Sequence, residues 1–188
     1  MTKQFYQYAQ TPLTTHIERD YLYAEHYAEH YVGYCSIPRN SSKYHRGIFG
    51  HNPSKALWNK TSTWYAVIRD PRQRLISGLE ECARRKGWQP NCNILMKQLL
   101  HFPQQFDEHL ETQSWYVSQA PVTPYIVNFN TQKKDLQQLF AHIPQFVQQL
   151  NTIKPPQKDI SMWSSVLIDR CIEKHYECDM RLWESVCN

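Results

Sequence analysis

A chain of 188 residues has the length of one ordinary domain, so a single core is expected over residues 1–188, with residues 1–15 as a flexible lead-in. With 41% apolar and 20% charged residues, five Gly and eleven Pro, it is neither collagen-like, elastic nor largely disordered. The net charge, 21 cations minus 17 anions, is +4: modest for a nucleic-acid binder and sufficient for a small anionic ligand.

The longest apolar runs, such as Tyr31 to Cys35 and Ala66 to Ile68, are far too short to span a membrane. The opening residues Met1-Thr2-Lys3-Gln4-Phe5-Tyr6 lack the apolar stretch of a secretory signal, so the expected location is the cytoplasm. The six cysteines contain no CxxC pair and read as free thiols. Bridges between Cys82 and Cys92, or between Cys171 and Cys187, stay open because distance in space is not visible in spacing.

Between His16 and His30, aromatic and aliphatic residues recur at spacings of three and four, which predicts a helix. Tyr31 to Ile37 reads as a buried strand running into the polar loop Pro38-Arg39-Asn40-Ser41-Ser42, which can open a helix. Trp64 to Ile68 is a second strand, followed by a helix that Asp70 caps, Pro71 opens and Gly87 ends. Leu75, Ile76, Leu79, Cys82 and Ala83 give that helix an apolar stripe expected to pack on a sheet. Further elements are a helix from Asn93 to His101, a helix or turn from Phe106 to Trp115 and a third strand from Tyr125 to Phe129. A helix around Lys134 to Phe140, a linker from Thr152 to Lys158 and a last helix from Ser164 to Trp183 complete the chain. Strands alternating with helices predict an α/β fold with a small, mainly parallel sheet flanked by helices, whose ligands bind beyond the carboxyl ends of the strands.

Two loops occupy such positions. In the first, Arg39 and Lys43 with the hydroxyls of Ser41 and Ser42 make a cradle for a phosphate-type anion, although the GxxxxGK[ST] pattern is absent. In the second, Arg69 leaves the strand end while Ser77 lies about two turns along the helix, so both can meet on one anion.

The second loop, Val67-Ile68-Arg69-Asp70-Pro71-Arg72-Gln73-Arg74-Leu75-Ile76-Ser77, resembles the VxRDPxxRxxS motif of a known family. That family is the sulfotransferases that use 3'-phosphoadenosine 5'-phosphosulfate, especially their carbohydrate-modifying branch. The resemblance implies a three-layer, P-loop-like fold, no metal, and binding of the donor's 3'-phosphate by Arg69 and Ser77. Ile37 to Ser42 is similar to the family's first motif, which implies that Arg39, Asn40, Ser41, Ser42 and Lys43 contact the 5'-phosphosulfate. It departs from the pattern where Arg39 replaces a usual Lys, Ser41 a usual Gly or Ala, and Lys43 a common hydroxyl residue. Weaker similarity follows in the family's order through His109 with Gln113, Tyr125 to Phe129 with Asp135, and Tyr176 with Asp179.

Sulfuryl transfer needs an acceptor in line with the leaving group, a base beside it, and cations where charge accumulates. The resemblance implies Arg39 at the leaving group and His51, in Phe49-Gly50-His51, as the base that takes the acceptor's proton. His45 follows as a candidate, then Glu80 or Glu81, while His109 is assigned to structure or acceptor contact. The expected function is transfer from 3'-phosphoadenosine 5'-phosphosulfate, with 3'-phosphoadenosine 5'-phosphate as product, to a small-molecule or glycan hydroxyl or to an amine. No nucleic acid or membrane partner is expected. The alternative function is non-catalytic binding of a nucleotide or anion on the same fold. A kinase or NTPase would need a Gly-Lys loop and a magnesium-binding acid that the sequence lacks. His26 and His30 sit four apart without an HExxH pattern and read as solvated or core residues.

Overall fold

The computed structural model describes residues 12–14, 21–50, 55–87, 92–152 and 165–187. Among these residues, four strands form one sheet in the order β1 (Leu22–Tyr27), β2 (His30–Cys35), β3 (Thr63–Ile68) and β4 (Tyr125–Asn128). β2, β3 and β4 run parallel, and β1 lies antiparallel to β2. The helices are α1 (Ser42–Ile48), α2 (Lys55–Trp58), α3 (Pro71–Lys86), α4 (Cys92–His101), α5 (Gln113–Ser118), α6 (Gln132–Leu139), α7 (Pro144–Leu150), α8 (Ser165–His175) and α9 (Glu177–Cys187). Short 3₁₀ turns stand at Pro103–Gln105 and Glu108–Leu110. The chain is thus α/β, with a small, mostly parallel sheet flanked by helices. No helix among the described residues is long and apolar enough to cross a membrane.

The period of two along each strand separates two cores. Val32, Tyr34, Tyr65 and Val67 pack against Phe49, Leu136, Phe140 and Phe146, which places α6 and α7 on one face. Cys35, Trp64, Ala66 and Ile68 pack against Trp115, Tyr116 and Leu182, which places α5 and α9 on the other. Gly33 faces Trp64 across the β2–β3 ladder, and a Cβ there would fall 2.3 Å from the indole ring. Glycine is what lets the ring lie over β2.

The helix expected over His16 to His30 is corrected: within the described part of that span, β1 turns at Ala28 and Glu29 into β2. Tyr23 and Tyr27 enter one core while Leu22 and Ala24 enter the other. A strand buried on both faces has no clean alternation, and its aromatic residues then fall by chance at helical spacings.

α3 forms as the motif dictates. Asp70 Oδ1 accepts the N–H groups of Arg72 at 2.8 Å and Gln73 at 3.2 Å, Pro71 begins the helix, and Gly87 ends it at φ 64°. Its apolar stripe, however, packs with Leu95, Met96 and Leu99 of α4 and with Ile168 and Ile172 of α8, not on the sheet. The large rings of Trp115 and Tyr116 already cover that face of the sheet. The single last helix is likewise two, broken at Tyr176, whose buried hydroxyl donates to the Leu110 carbonyl at 2.6 Å. Cys82, Cys171 and Cys187 are free thiols, so neither bridge left open by the spacing forms. The expected linker falls outside the described residues from residue 153 onward.

Candidate functional site

β2 and β3 end side by side, and the chain leaving each enters one shared cavity of about 380 Å³. After β2 the backbone reverses sharply: Arg39 and Ser41 adopt φ of 70° and 62°, the left-handed region. Holding non-glycine residues there costs on the order of 1 kcal/mol each. The reversal sends neighbouring side chains in opposite directions. Asn40 turns inward and is fully buried, donating to the Val67 carbonyl at 2.7 Å and to Gln113 Oε1 at 2.5 Å. Arg39 turns to the cavity, where Nε and Nη2 donate to Ser77 Oγ at 2.9 and 2.7 Å, while Nη1 lies 3.5 Å from Glu81. Ser41, Ser42 and Lys43 also line the cavity.

The second loop supplies the opposite wall. Arg69, only 6% exposed, lines the cavity, and its guanidinium carbon lies 4.9 Å from the Phe129 ring centroid. Nη1 donates to the Arg39 carbonyl at 3.4 Å, and the buried Nε has no hydrogen-bond partner among the described residues. Burial, and then the charges of Arg39 and Arg74, lower the Arg69 pKa; an arginine nevertheless stays protonated. Arg74, one turn further and 1% exposed, donates from Nε to the Pro38 carbonyl at 3.2 Å and so ties the two loops together. Three guanidinium groups gather at this end, and an anion is the natural counter-charge.

The back wall is a hydrogen-bonded frame. Gln113 accepts the Arg69 N–H at 2.9 Å and donates to the Arg69 carbonyl at 2.8 Å, so its amide brackets the residue's backbone. Asp179, fully buried, accepts the N–H groups of Gln113 and Ser114, each at 2.8 Å. Gln113 directly, and Asp179 through it, therefore support the strand end that aims Arg69, while Tyr176 donates to the Leu110 carbonyl in the turn before α5.

The far end of the cavity carries Glu81, Arg85, Glu108 and His109. Glu81 is held low, to about 2, by hydrogen bonds from Arg84 and, against the upward push of burial, from Arg85. An acid so stabilised as its anion is a poor proton acceptor. His109 Nδ1 lies 2.8 Å from Asp107 Oδ1, which also accepts the His109 backbone N–H at 3.0 Å. Burial pushes the Asp107 carboxyl up, but these bonds and that from the Cys82 thiol outweigh it and hold the group below the usual carboxylate range. Asp107, Glu108 and His109 offer donor atoms within 4.8 Å of one another, and the cation facing them is Arg85, 3.9 and 3.7 Å from the two carboxylates.

Of the sequence candidates, Arg39, Ser41, Ser42, Lys43, Arg69 and Ser77 share the cavity, and Asn40 supports it from behind. Ser77 Oγ accepts from the Arg39 guanidinium, and among the described residues no hydrogen bond joins it to Arg69. His51 lies outside the described residues. His45 is removed from the candidate bases: it is fully buried in the aromatic core, with Nδ1 3.0 Å from the Tyr65 hydroxyl and Nε2 2.7 Å from Gln132 Oε1. Both nitrogens are engaged, and burial lowers its pKa to about 4. His109, expected to serve structure or acceptor contact, lines the cavity on its bond to Asp107; Arg74 and Asp107 carried no role in the sequence reading, and the signal for Arg74 lay inside the RDPxxRxxS spacing itself. No family model matches this chain, and no curated protein or solved structure matches it.

Proposed function

We propose that this chain is a sulfotransferase of the three-layer, P-loop-like kind. It would transfer a sulfuryl group from 3'-phosphoadenosine 5'-phosphosulfate to a hydroxyl, glycan hydroxyls included, or to an amine. The observation that carries this reading is the convergence of Arg39, Lys43, Arg69 and Ser77 on one cavity at adjacent parallel strand ends, with Arg69 buried beside other arginines. Such a site favours a ligand bearing several negative charges in two clusters, as the 3'-phosphate and the 5'-phosphosulfate are.

In this reading Arg69 and Ser77 hold the 3'-phosphate. Arg39, Ser41, Ser42 and Lys43 hold the phosphosulfate, and the cations stabilise the phosphate oxygen that inherits the electron pair when the S–O bond breaks. No metal is needed, because the guanidinium and ammonium groups supply the positive charge. The second reading, a nucleotide-binding protein without transfer, is favoured by one observation. The Arg39 fork is tied to Ser77 and Glu81 and lacks the compact mobility of a lysine at that position.

Calorimetric titration with 3'-phosphoadenosine 5'-phosphate, with AMP and ATP beside it, tests the donor site. Micromolar binding that requires the 3'-phosphate is expected. Failure to bind any of the three nucleotides overturns both readings, a preference for ATP overturns the sulfotransferase reading, and binding of 3'-phosphoadenosine 5'-phosphate without transfer to any acceptor selects the second.

A further inference from the structure

We propose that His109, oriented by Asp107, is the group that takes the acceptor's proton in this cavity. The inference rests on the sulfuryl-transfer reading and gives His109, expected from the sequence to serve structure or acceptor contact, the role of proton acceptor in place of His51.

The turn carrying His109 is fixed against α3. Gly78, the residue after Ser77, would bring a Cβ to 2.6 Å from the His109 carbonyl oxygen, so the turn lies directly on the helix that presents Ser77. Phosphate-binding hydroxyl and imidazole are thereby mounted on one rigid contact. Within the turn, Asp107 accepts from the His109 backbone N–H and from Nδ1–H, which sets the ring's tautomer as well as its tilt. His109 lines the cavity while its Nδ1 is held on Asp107, so in the neutral ring the electron pair left for a ligand is the one on Nε2. Nε2 has no hydrogen-bond partner among the described residues. By contrast His45 uses both nitrogens on neutral partners.

The step balances without an added reagent. The acceptor oxygen forms the new bond to sulfur as its proton passes to Nε2; the bridging S–O bond breaks and its electron pair stays on the 5'-phosphate. The imidazolium left behind is faced by the Asp107 carboxylate. The other titratable and charged groups around His109 are Glu108 on its own turn, Glu81, Cys82 and Arg85 from α3, Tyr116 from α5 and Arg39 from the first loop.

The test uses the full chain, radiosulfate-labelled donor, and water and simple hydroxyl glycosides as acceptors. His109→Gln, Asp107→Asn and His51→Ala are compared with the parent, each with its thermal midpoint and its affinity for 3'-phosphoadenosine 5'-phosphate. The expected result for His109→Gln is unchanged nucleotide affinity, turnover lower by about 100-fold or more, and loss of the acid limb of the kcat/KM profile. Asp107→Asn should lower turnover by about tenfold or more with the same affinity, since it disturbs the tautomer and not the donor site. Turnover within threefold of the parent in His109→Gln, or a loss confined to His51→Ala, overturns the proposal while leaving the sulfotransferase reading intact. A parent that binds the nucleotide and transfers to nothing overturns it in favour of the non-catalytic reading. A parent that does not bind the nucleotide overturns the donor site itself.

Discussion

The two ends of the cavity differ in how their charges are matched. At the strand ends, Arg39, Lys43 and Arg69 line the wall with Arg74 behind them, and the acid in contact is Glu81 at 3.5 Å from Arg39. At the far end, Glu81 pairs with Arg85 at 3.0 Å, Arg85 also faces Asp107 and Glu108, and His109 lies on Asp107. One end calls for an anion, whereas at the other the carboxylates of Glu81, Asp107 and Glu108 surround Arg85 and leave no call for one. A polyanionic donor and an uncharged hydroxyl fit such a division, whereas a site for two anions would need cations throughout.

The largest effect should come from removing the buried cation. Arg69→Ala is expected to weaken binding of 3'-phosphoadenosine 5'-phosphate about 100-fold, close to 3 kcal/mol, the upper range for a hydrogen bond to a charged group. Calorimetry reads it directly, and a change below threefold would erase the distinction between the ends.

A second effect, of similar upper size, sets the pH window for comparing the ends. His45 has a folded-state pKa near 4, against an ordinary value of 6.5. Between those values the unfolded chain binds a proton that the folded chain refuses, so stability falls as pH drops from about 6.5 to 4, by roughly 3 kcal/mol at most. Urea denaturation at stepped pH should follow this fall, and His45→Phe should flatten it. Parallel curves for parent and variant would mean that another group controls acid sensitivity.

Gly78→Ala separates the two ends mechanically. Its Cβ would meet the His109 carbonyl at 2.6 Å, so the turn must move from α3. A loss of about 2 kcal/mol in urea unfolding is expected, with nucleotide affinity held within about twofold and transfer reduced. Equal damage to affinity would show that the ends move together. The smallest effect belongs to Ser77→Ala, which removes one hydroxyl and should weaken nucleotide binding about fivefold, near 1 kcal/mol; an unchanged titration would take Ser77 out of the phosphate site.

Much of the strand-end region was legible because its signals are local. Asp70 as cap, Pro71 at the first turn and Gly87 as the stop depend on backbone geometry within a few residues, and the structure follows them. The β1 hairpin was not legible, since burial on both faces hides the period of two that marks a strand. The packing of α3 was misjudged because an apolar stripe states that a helix is covered and not by what.

The site divides along the same line. The residue types by themselves determined that cations and hydroxyls follow two strands, and that Arg69 and Ser77 sit on one short strand-loop-helix segment. Only the tertiary structure decided that Arg39 lies on Ser77, that Arg74 clamps the Pro38 carbonyl, and that Asp107 aims His109. Those contacts join residues far apart in the chain or depend on which way a turn faces. Spacing carries no record of either, because both follow from how the sheet, α3 and the 3₁₀ turn pack against one another.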